Sequence, residues 1–177
     1  MSTKVVTGKV RFSYAHVFTP TAIDEGADPK YSVNLIISKD DTTTIEKIEE
    51  AVEAAKQLGK TSKWNGKLPP KLKLPLRDGD EERPDDENYE NCYFINASSR
   101  NKPGIVDRNR DELMTKEEFY SGCFGRVSIN FYPFNVSGNK GIAAGLNNLQ
   151  KLEDGEPLAG GTSAAEDFAE DFDDDLM

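Results

Sequence analysis

The chain has 177 residues, a formal net charge of -10, two cysteines and one histidine. No apolar run approaches the roughly 20 residues needed to cross a bilayer, and no signal-peptide core opens the sequence, so we expect a soluble protein of the cytoplasm. Cys92 and Cys123 lie far apart with only His16 to accompany them. This pattern argues against a zinc site, against a Ser-His or Cys-His catalytic pair, and against any cofactor built on these residues.

The negative charge is concentrated at the C-terminus. Residues 153–177 hold ten of the 32 acidic residues and no Lys or Arg, so residues 1–152 carry 22 acids and 22 bases. An acidic run mixed with Gly, Ala and Ser cannot bury enough apolar surface to order itself. We therefore predict one folded domain over residues 1–152 and a disordered acidic tail over residues 153–177.

Apolar side chains punctuate the end of this tail. The residues concerned, with the acids between them, are Phe168, Asp171, Phe172, Asp173, Asp174, Asp175, Leu176 and Met177. A tail that only solubilises the protein has no need of Phe and Leu among its acids. The pattern favours a segment that docks on a basic, apolar-floored groove, although a purely solubilising role stays open.

The first 40 residues predict two strands. Apolar and polar residues alternate from 4 to 18, which places Val6 and Tyr14 on the core side, with a bulge or bend at Gly8. After a loop rich in Pro and Gly, alternation returns at 31–38.

Residues 42–58 predict a helix. A run of Thr supplies the N-cap, apolar residues recur at spacings of three and four, and Gly59 is expected to close it. Its apolar stripe implies that the helix packs on the sheet or caps a barrel.

A basic segment follows the helix. Residues 56–77 contain seven Lys and Arg residues, no acid, and the only tryptophan, Trp64. Cations hold phosphates while a flat ring stacks a base, so this segment predicts a single-stranded nucleic acid site. The alternative is a basic surface loop with Trp64 in the core. Residues 72–76 resemble a short edge strand.

The next segment, residues 78–90, is acidic and rich in turn-forming residues. Asp78, Asp80, Asp85 and Asp86 could in principle hold a divalent metal, but their spacing matches no EF-hand loop. A solvated loop is the favoured interpretation.

The rest of the chain, from residue 91 onwards, is predicted to form three strands and one short helix. Strands are expected at 91–98, 123–134 and 141–152, the last two joined as a hairpin, and a short helix is expected from Thr115 to Tyr120. A second basic, flexible segment follows the strand at 91–98.

Five runs resemble one phage and prophage family, first described as a domain of unknown function (DUF2815) and now as single-stranded DNA-binding protein. They are KVRFSYAHVF (9–18), KYSVNLIISKDD (30–41), LKLPLRDGDEERPD (72–85), YFINASSRNKPGIVDRN (93–109) and FYSGCFGRVSINFYPFNVSGNKGIAAGLNNLQKL (119–152). The hairpin followed by an acidic tail is more distantly similar to T7-type phage single-stranded DNA-binding proteins. The terminal FDDDLM resembles the acidic tip of bacterial single-stranded DNA-binding proteins, which ends in Pro-Phe instead.

The resemblance implies an OB-fold-like, five-stranded Greek-key barrel with an inserted helix. It also implies a non-enzymatic protein that binds single-stranded DNA without sequence preference in phage replication or recombination. The tail would compete for the DNA groove and recruit replication or recombination proteins such as a polymerase, a helicase or primase, or a recombinase. A homodimer is possible, and no membrane partner is expected.

The predicted DNA groove combines basic and aromatic residues. Its members are Lys60, Lys63, Lys67, Lys71, Lys73, Arg100, Lys102, Arg108 and Arg126, with Trp64, Tyr93 and Tyr132 as stacking candidates. Two alternatives remain at this stage: a metal-dependent nuclease or resolvase using the acids of residues 78–86, and a phage scaffold protein that binds no DNA.

Overall fold

The computed structural model describes residues 2–22, 26 and 28–158. Its centre is a barrel of five strands: β2 (Val10–Thr21), β3 (Lys30–Ser38), β5 (Cys92–Ser99), β7 (Phe124–Val136) and β8 (Asn139–Glu153). Three short strands extend the sheet: β1 (Lys4–Val6), β4 (Arg77–Asp78) and β6 (Gly104–Val106). The helices are α1 (Thr42–Ser62) and the single-turn α2 (Gly79–Glu82), followed by a 3-10 turn at Glu87–Tyr89.

The barrel closes through both edges of β7. β2 pairs with β3 and β7, β3 with β5, and β7 with β8, all antiparallel, while β5 and β8 are parallel. The third and fifth barrel strands are therefore parallel neighbours, which is the order of the OB fold. The prediction of a mainly β, OB-fold-like barrel with an inserted helix is confirmed.

The N-terminal segment forms two strands, so the single strand predicted over residues 4–18 is wrong. Residues 7–9 leave the strand geometry, and the Gly8 N–H donates to Thr44 Oγ1 at 2.9 Å. The break shifts the alternation by one residue. As a result Val5 is buried and Val6, predicted to face the core, is 41% exposed.

The barrel interior is filled by large apolar side chains from every strand. They include Phe12, Leu35, Ile95, Ile129 and Leu149, all fully buried. Each such side chain contributes about 1.5–3 kcal/mol through the area it removes from water. The interior therefore supplies most of the stability of the domain.

Helix α1 packs mainly against β7. It begins under an Asp41 cap, whose Oδ1 accepts from the Thr44 N–H at 3.2 Å, and not under the predicted Thr cap. Its buried face includes Ile48 and Ala55. Neither this helix nor the other described one has the length and apolarity to cross a membrane.

Gly59 does not end the helix as predicted, because it lies inside the last turns of α1. The N–H groups of Lys63 and Trp64 both donate to the Gly59 carbonyl at 2.9 Å, and the chain then folds Trp64 back over the helix. A Cβ on Gly59 would lie 2.5 Å from the indole ring. Glycine is therefore required here for close packing and not for chain reversal.

Two of the predicted short elements are absent. Residues 115–120 form turns, with the Glu118 N–H donating to the Thr115 carbonyl at 3.1 Å, and not a helix. Within 72–76 only Lys73 forms a bridge, to Gly141, and Pro75 interrupts any longer pairing by removing a donor.

The contact between Gly59 and Trp64 gives a stability prediction. Gly59→Ala places a methyl group against the indole, and overpacking of this kind costs about 1–3 kcal/mol, more than the ~1 kcal/mol that Ala gains in a helix. We expect a lower thermal unfolding midpoint, measured by circular dichroism. Gly145→Ala is the control, because its Cβ would meet no atom closer than 3.4 Å. An unchanged midpoint for Gly59→Ala would contradict the close packing.

Candidate nucleic-acid interface

The outer face of β2, β3 and β5 carries side chains in register across the three strands. The rows are Arg11, Ile36 and Phe94, then Ser13, Asn34 and Asn96, then His16, Ser32 and Ser98. The opposite side chains of these strands form the core. β3 and β5 are the second and third strands of the barrel, whose outer face binds oligonucleotides in OB folds. This face is the candidate interface.

The middle of the face is a hydrogen-bonded polar strip. The Asn34 Nδ2 donates to Asn96 Oδ1 at 2.7 Å, and the Tyr89 hydroxyl donates to Asn34 Oδ1 at 2.9 Å. Burial raises the pKa of Tyr89, which keeps this hydroxyl protonated as a donor. Asn96 remains exposed and can present its amide to a ligand.

One end of the face is aromatic. Tyr89 and Phe94 pack edge to face, with ring centroids 5.3 Å apart. The Arg83 guanidinium lies over both rings, at 4.8 Å and 5.0 Å, and 5.8 Å from the centroid of Tyr14. Tyr14 itself is 52% exposed.

The acidic segment 78–90 is folded onto this end of the barrel by ion pairs and caps. Lys39 Nζ lies 2.9 Å from Asp78 and 2.8 Å from Asp80. These hydrogen bonds hold the pKa of both carboxyl groups below the usual range and raise the pKa of Lys39. Asp86 accepts from the Asn88 N–H at 3.0 Å and caps the 3-10 turn.

These contacts weigh against the metal-dependent alternative. Asp78 and Asp80 are already paired with a cation, and Asp86 is committed to the backbone. Within the described residues, no cluster of three or more His, Cys, Asp or Glu side chains could hold a metal ion.

Hydrogen bonds join the basic segment to the tip of the β7–β8 hairpin. The Lys73 N–H donates to the Lys140 carbonyl at 3.0 Å, and the Asn135 amide donates to the Lys63 carbonyl at 3.4 Å. In the described part of the chain none of these side chains forms an ion pair: Lys60, Lys63, Lys67, Lys71, Lys73 and Lys140. We call these six residues the lysine patch.

A second basic pair lies at the far end of β5. Arg100 follows that strand directly and comes within 3.9 Å of Asp28, with both side chains exposed. Lys102 lies over the Phe18 ring at 5.8 Å. Gly141, beside Lys73, is level with the beginning of β5, by the parallel register of β5 and β8. Basic residues therefore flank the candidate face at both ends.

Other predicted groove residues lie elsewhere. Arg126, on β7, donates to the Thr7 carbonyl at 3.0 Å, and Arg108 donates to the Leu152 carbonyl at 3.0 Å, so both lie on the wall formed by β7 and β8 with β1 and β6. Tyr132 is exposed on β7, away from β3 and β5. Tyr93 shares the core-facing side of β5 with Ile95, and Lys39 lies over its ring at 5.2 Å. The structure does not bring these four side chains onto the candidate face.

After β8 the chain leaves the barrel at the aromatic end of the candidate face. After β8, residues 154–158 form a C-terminal strap. The Tyr120 hydroxyl donates to Asp154 Oδ1 at 2.9 Å, and Arg11 Nη2 donates to the Glu156 carbonyl at 2.7 Å. Leu158 then packs beside the cluster of Ile36, Tyr89 and Phe94.

The strap shows that the predicted tail, residues 153–177, was started too early in the sequence. Residues 153–158, predicted to be disordered, are instead bonded to the domain, because backbone carbonyls and one carboxylate find donors there. The predicted partner-binding residues from Phe168 to Met177 lie outside the described residues.

Comparisons with known proteins agree with this geometry. A family model described as "Enterobacter phage Enc34, ssDNA-binding protein" matches residues 3–177. The chain belongs to this phage single-stranded DNA-binding protein family. The function that its description names is binding to single-stranded DNA.

Individual relatives cover nearly the whole chain. The single-stranded DNA-binding protein of bacteriophage Enc34, solved in complex with single-stranded DNA, is 31% identical, with a TM-score of 0.77, and the match covers 89% of this chain and 90% of that one. Protein p50 of Acyrthosiphon pisum secondary endosymbiont phage 1 is 30% identical over 97% of this chain and 93% of its own. The bacteriophage T7 single-stranded DNA-binding protein gp2.5 shares the fold, with a TM-score of 0.62 at 14% identity over 96% of this chain and 94% of that one.

The basic residues around Trp64 predicted that its ring stacks on a base, but the structure buries the ring. It is 3% exposed, and its indole N–H donates to the Phe134 carbonyl at 3.1 Å. The alternative of a core tryptophan is correct, because the chain reversal after α1 folds the ring between Gly59 and the hairpin. Trp64 thus joins the lysine segment to β7.

Sequence reasoning missed Tyr14 and Arg83. Alternation placed Tyr14 in the core, whereas a register shift between Ser13 and His16 turns it outward. Arg83 was hidden among eight acids of residues 78–90. The signal available was that Arg83 is the one basic residue of an otherwise acidic, folded loop.

The burial of Trp64 predicts that its ring does not contact DNA. Trp64→Phe keeps most of the packed area and removes the bond to Phe134, so we expect a stability loss of about 0.5–1.5 kcal/mol by thermal unfolding. Because phenylalanine could also stack a base, binding is followed through the fluorescence of Trp64, the only tryptophan, which should stay nearly unchanged when poly-thymidine is added. Strong quenching of this fluorescence in the wild type would show that the indole is used for binding.

Proposed function

We propose that this protein coats single-stranded phage DNA without sequence preference during replication or recombination in the host cytoplasm. The observation that carries the proposal is the outer face of β3 and β5. It is polar in its middle and flanked by basic residues at both ends, and at one end the exposed Tyr14 ring lies near the buried pair of Tyr89 and Phe94. The Enc34 relative of the same family, solved with single-stranded DNA, supports it.

The basic residues at the two ends suit the phosphate backbone. We assign the phosphate contacts to the lysine patch at one end and to Arg100 and Lys102 at the other. Such contacts release counterions and carry no base information, so they bind any sequence. The candidate face lies between the two groups, so a strand crossing it would meet positive charge on entry and on exit.

The overall charge of -10 does not oppose this function. Seven acids lie in residues 159–177, and eight more lie in the segment 78–90, where Lys39 pairs with two of them. At physiological salt, charges further apart than about 8 Å are largely screened, so the local cations determine binding.

The strap supports a regulatory role for the acidic tail. Arg11 and Tyr120 hold residues 154–156, and Leu158 ends beside the aromatic end of the candidate face. The residues that follow are therefore tethered next to the proposed DNA site, where a local concentration in the millimolar range is expected. We propose that they compete with DNA in the free protein and, once displaced, recruit a polymerase, a helicase or primase, or a recombinase.

Binding is tested with a labelled poly-thymidine oligonucleotide of about 20 nucleotides, followed by fluorescence anisotropy at several salt concentrations. We expect binding to the single strand and much weaker binding to duplex of the same length. The logarithm of affinity should fall with the logarithm of salt, with a slope of about -0.7 for each phosphate contacted. Absence of binding, with and without residues 159–177, would leave the scaffold alternative.

Tail competition is tested by ending the chain after Leu158, which removes seven acids and keeps the strap. Since competition couples the tail to DNA, the truncated protein should bind single strands more tightly at low salt, by about 5- to 150-fold. The gain should shrink as salt rises. The matched control keeps the full length but carries Asn and Gln in place of the seven acids. It should reproduce the gain if charge causes the competition. Equal low-salt affinity for the intact and truncated chains would refute competition while leaving DNA binding intact.

A further inference from the structure

We propose that Tyr14 and Arg83 form a subsite for one nucleotide, in which the Tyr14 ring stacks a base and the Arg83 guanidinium binds an adjoining phosphate. This inference rests on the proposed function and assigns its central contacts to two residues outside the basic segments.

The backbone at Tyr14 turns the ring away from the core. Ser13 pairs with Asn34 and His16 with Ser32, so two residues of β2 lie opposite one residue of β3. This is a β-bulge, and Tyr14 takes a φ of 47° within it. A left-handed conformation is unfavourable for a bulky residue, so it persists only where surrounding contacts impose it.

Those surrounding contacts are present. The Ala15 N–H, just after the bulge, donates to Ser121 Oγ at 3.0 Å. Without the bulge, Tyr14 would follow Phe12 into the barrel. With it, the ring is 52% exposed on the outer face, which leaves an aromatic surface open to a flat ligand. Stacking on such a ring is independent of base identity.

Arg83 is a guanidinium with unused donors. It carries five N–H groups in a fixed plane. In the part of the chain that the structure describes, its side chain forms no ion pair and no hydrogen bond, although eight acids lie in residues 78–90. Three of those acids pair with other cations: Glu82 with Arg77, and Asp78 and Asp80 with Lys39.

Aromatic rings hold the guanidinium in place. The guanidinium carbon lies 4.8 Å and 5.0 Å from the ring centroids of Tyr89 and Phe94, within the range of a cation–π contact. A guanidinium fork matches phosphate oxygens, unlike the point charge of a lysine. At 5.8 Å from the Tyr14 ring, it is close enough for one nucleotide to contact both.

The decisive variant is Tyr14→Gly, because glycine adopts a positive φ without strain. We expect an unfolding midpoint that is unchanged or higher, together with a roughly 5- to 150-fold loss of poly-thymidine affinity, the value of one stacked base. Tyr14→Phe keeps the ring and should stay within about twofold of the wild type. Met114→Ala removes a 74% exposed side chain from the loop after β6 and should have no effect. Wild-type affinity in Tyr14→Gly would overturn the stacking assignment.

Arg83 is tested through the salt dependence of binding. Arg83→Gln removes one phosphate contact, so the slope of log affinity against log salt should become shallower by about 0.7. Arg83→Lys keeps the charge and should keep the slope while losing affinity. An unchanged slope in a folded Arg83→Gln protein would remove Arg83 from the subsite. Failure of the proposed function looks different, since the wild type itself would then bind no single strand.

Discussion

Closure of the barrel by β7 is the constraint on which the rest of the structure depends. This strand pairs along one edge with β8, from Phe124 to Val136, and its other edge receives β2 and then β1. With β7 and β8 forming one wall, β3 and β5 must form the opposite one. At one end of this wall the outer side chains of Ile36 and Phe94 are buried beside Tyr89, and in its middle Asn96 is exposed to solvent.

A second consequence of this closure is the position of the basic segment. The tip of the β7–β8 hairpin extends to α1, where the Phe134 carbonyl accepts the indole N–H of Trp64. Gly59 makes room for that ring, and the lysines before and after it are held against the hairpin. Trp64 therefore anchors the basic segment to the hairpin through its buried ring.

The charge near the candidate face depends on where the individual acidic and basic side chains lie more than on the net charge of the protein. Asp78 and Asp80 pair with Lys39 and Glu82 pairs with Arg77, while Arg83 forms no ion pair in the described residues and lies beside Tyr89 at the aromatic end of the face. The strap, bound by Arg11, brings the beginning of the acidic C-terminal segment to the same end. Competition between that segment and DNA would act where the aromatic contacts are.

The sequence by itself determined the elements with strong periodicity. The strands around Leu35, Ile95 and Ile129, the helix from Thr42 and the final hairpin were all predictable, because burial of one face requires alternation or helical spacing. Family resemblance then gave the barrel and single-stranded DNA binding. The two basic groups were predictable from the residues themselves, because runs of Lys and Arg are visible in the sequence.

Only the tertiary structure decided which side chains reach the face. A one-residue register shift buries Val5 and exposes Val6, and a bulge exposes Tyr14. Apolar alternation in a sequence does not show where a residue is inserted into a strand, so it predicted the wrong side for Val6 and Tyr14. The burial of Trp64 depended on the space above Gly59 and on the bond to Phe134, which lies 70 residues after Trp64. Long-range contacts of this kind set exposure, and exposure determines whether an aromatic ring can bind a base.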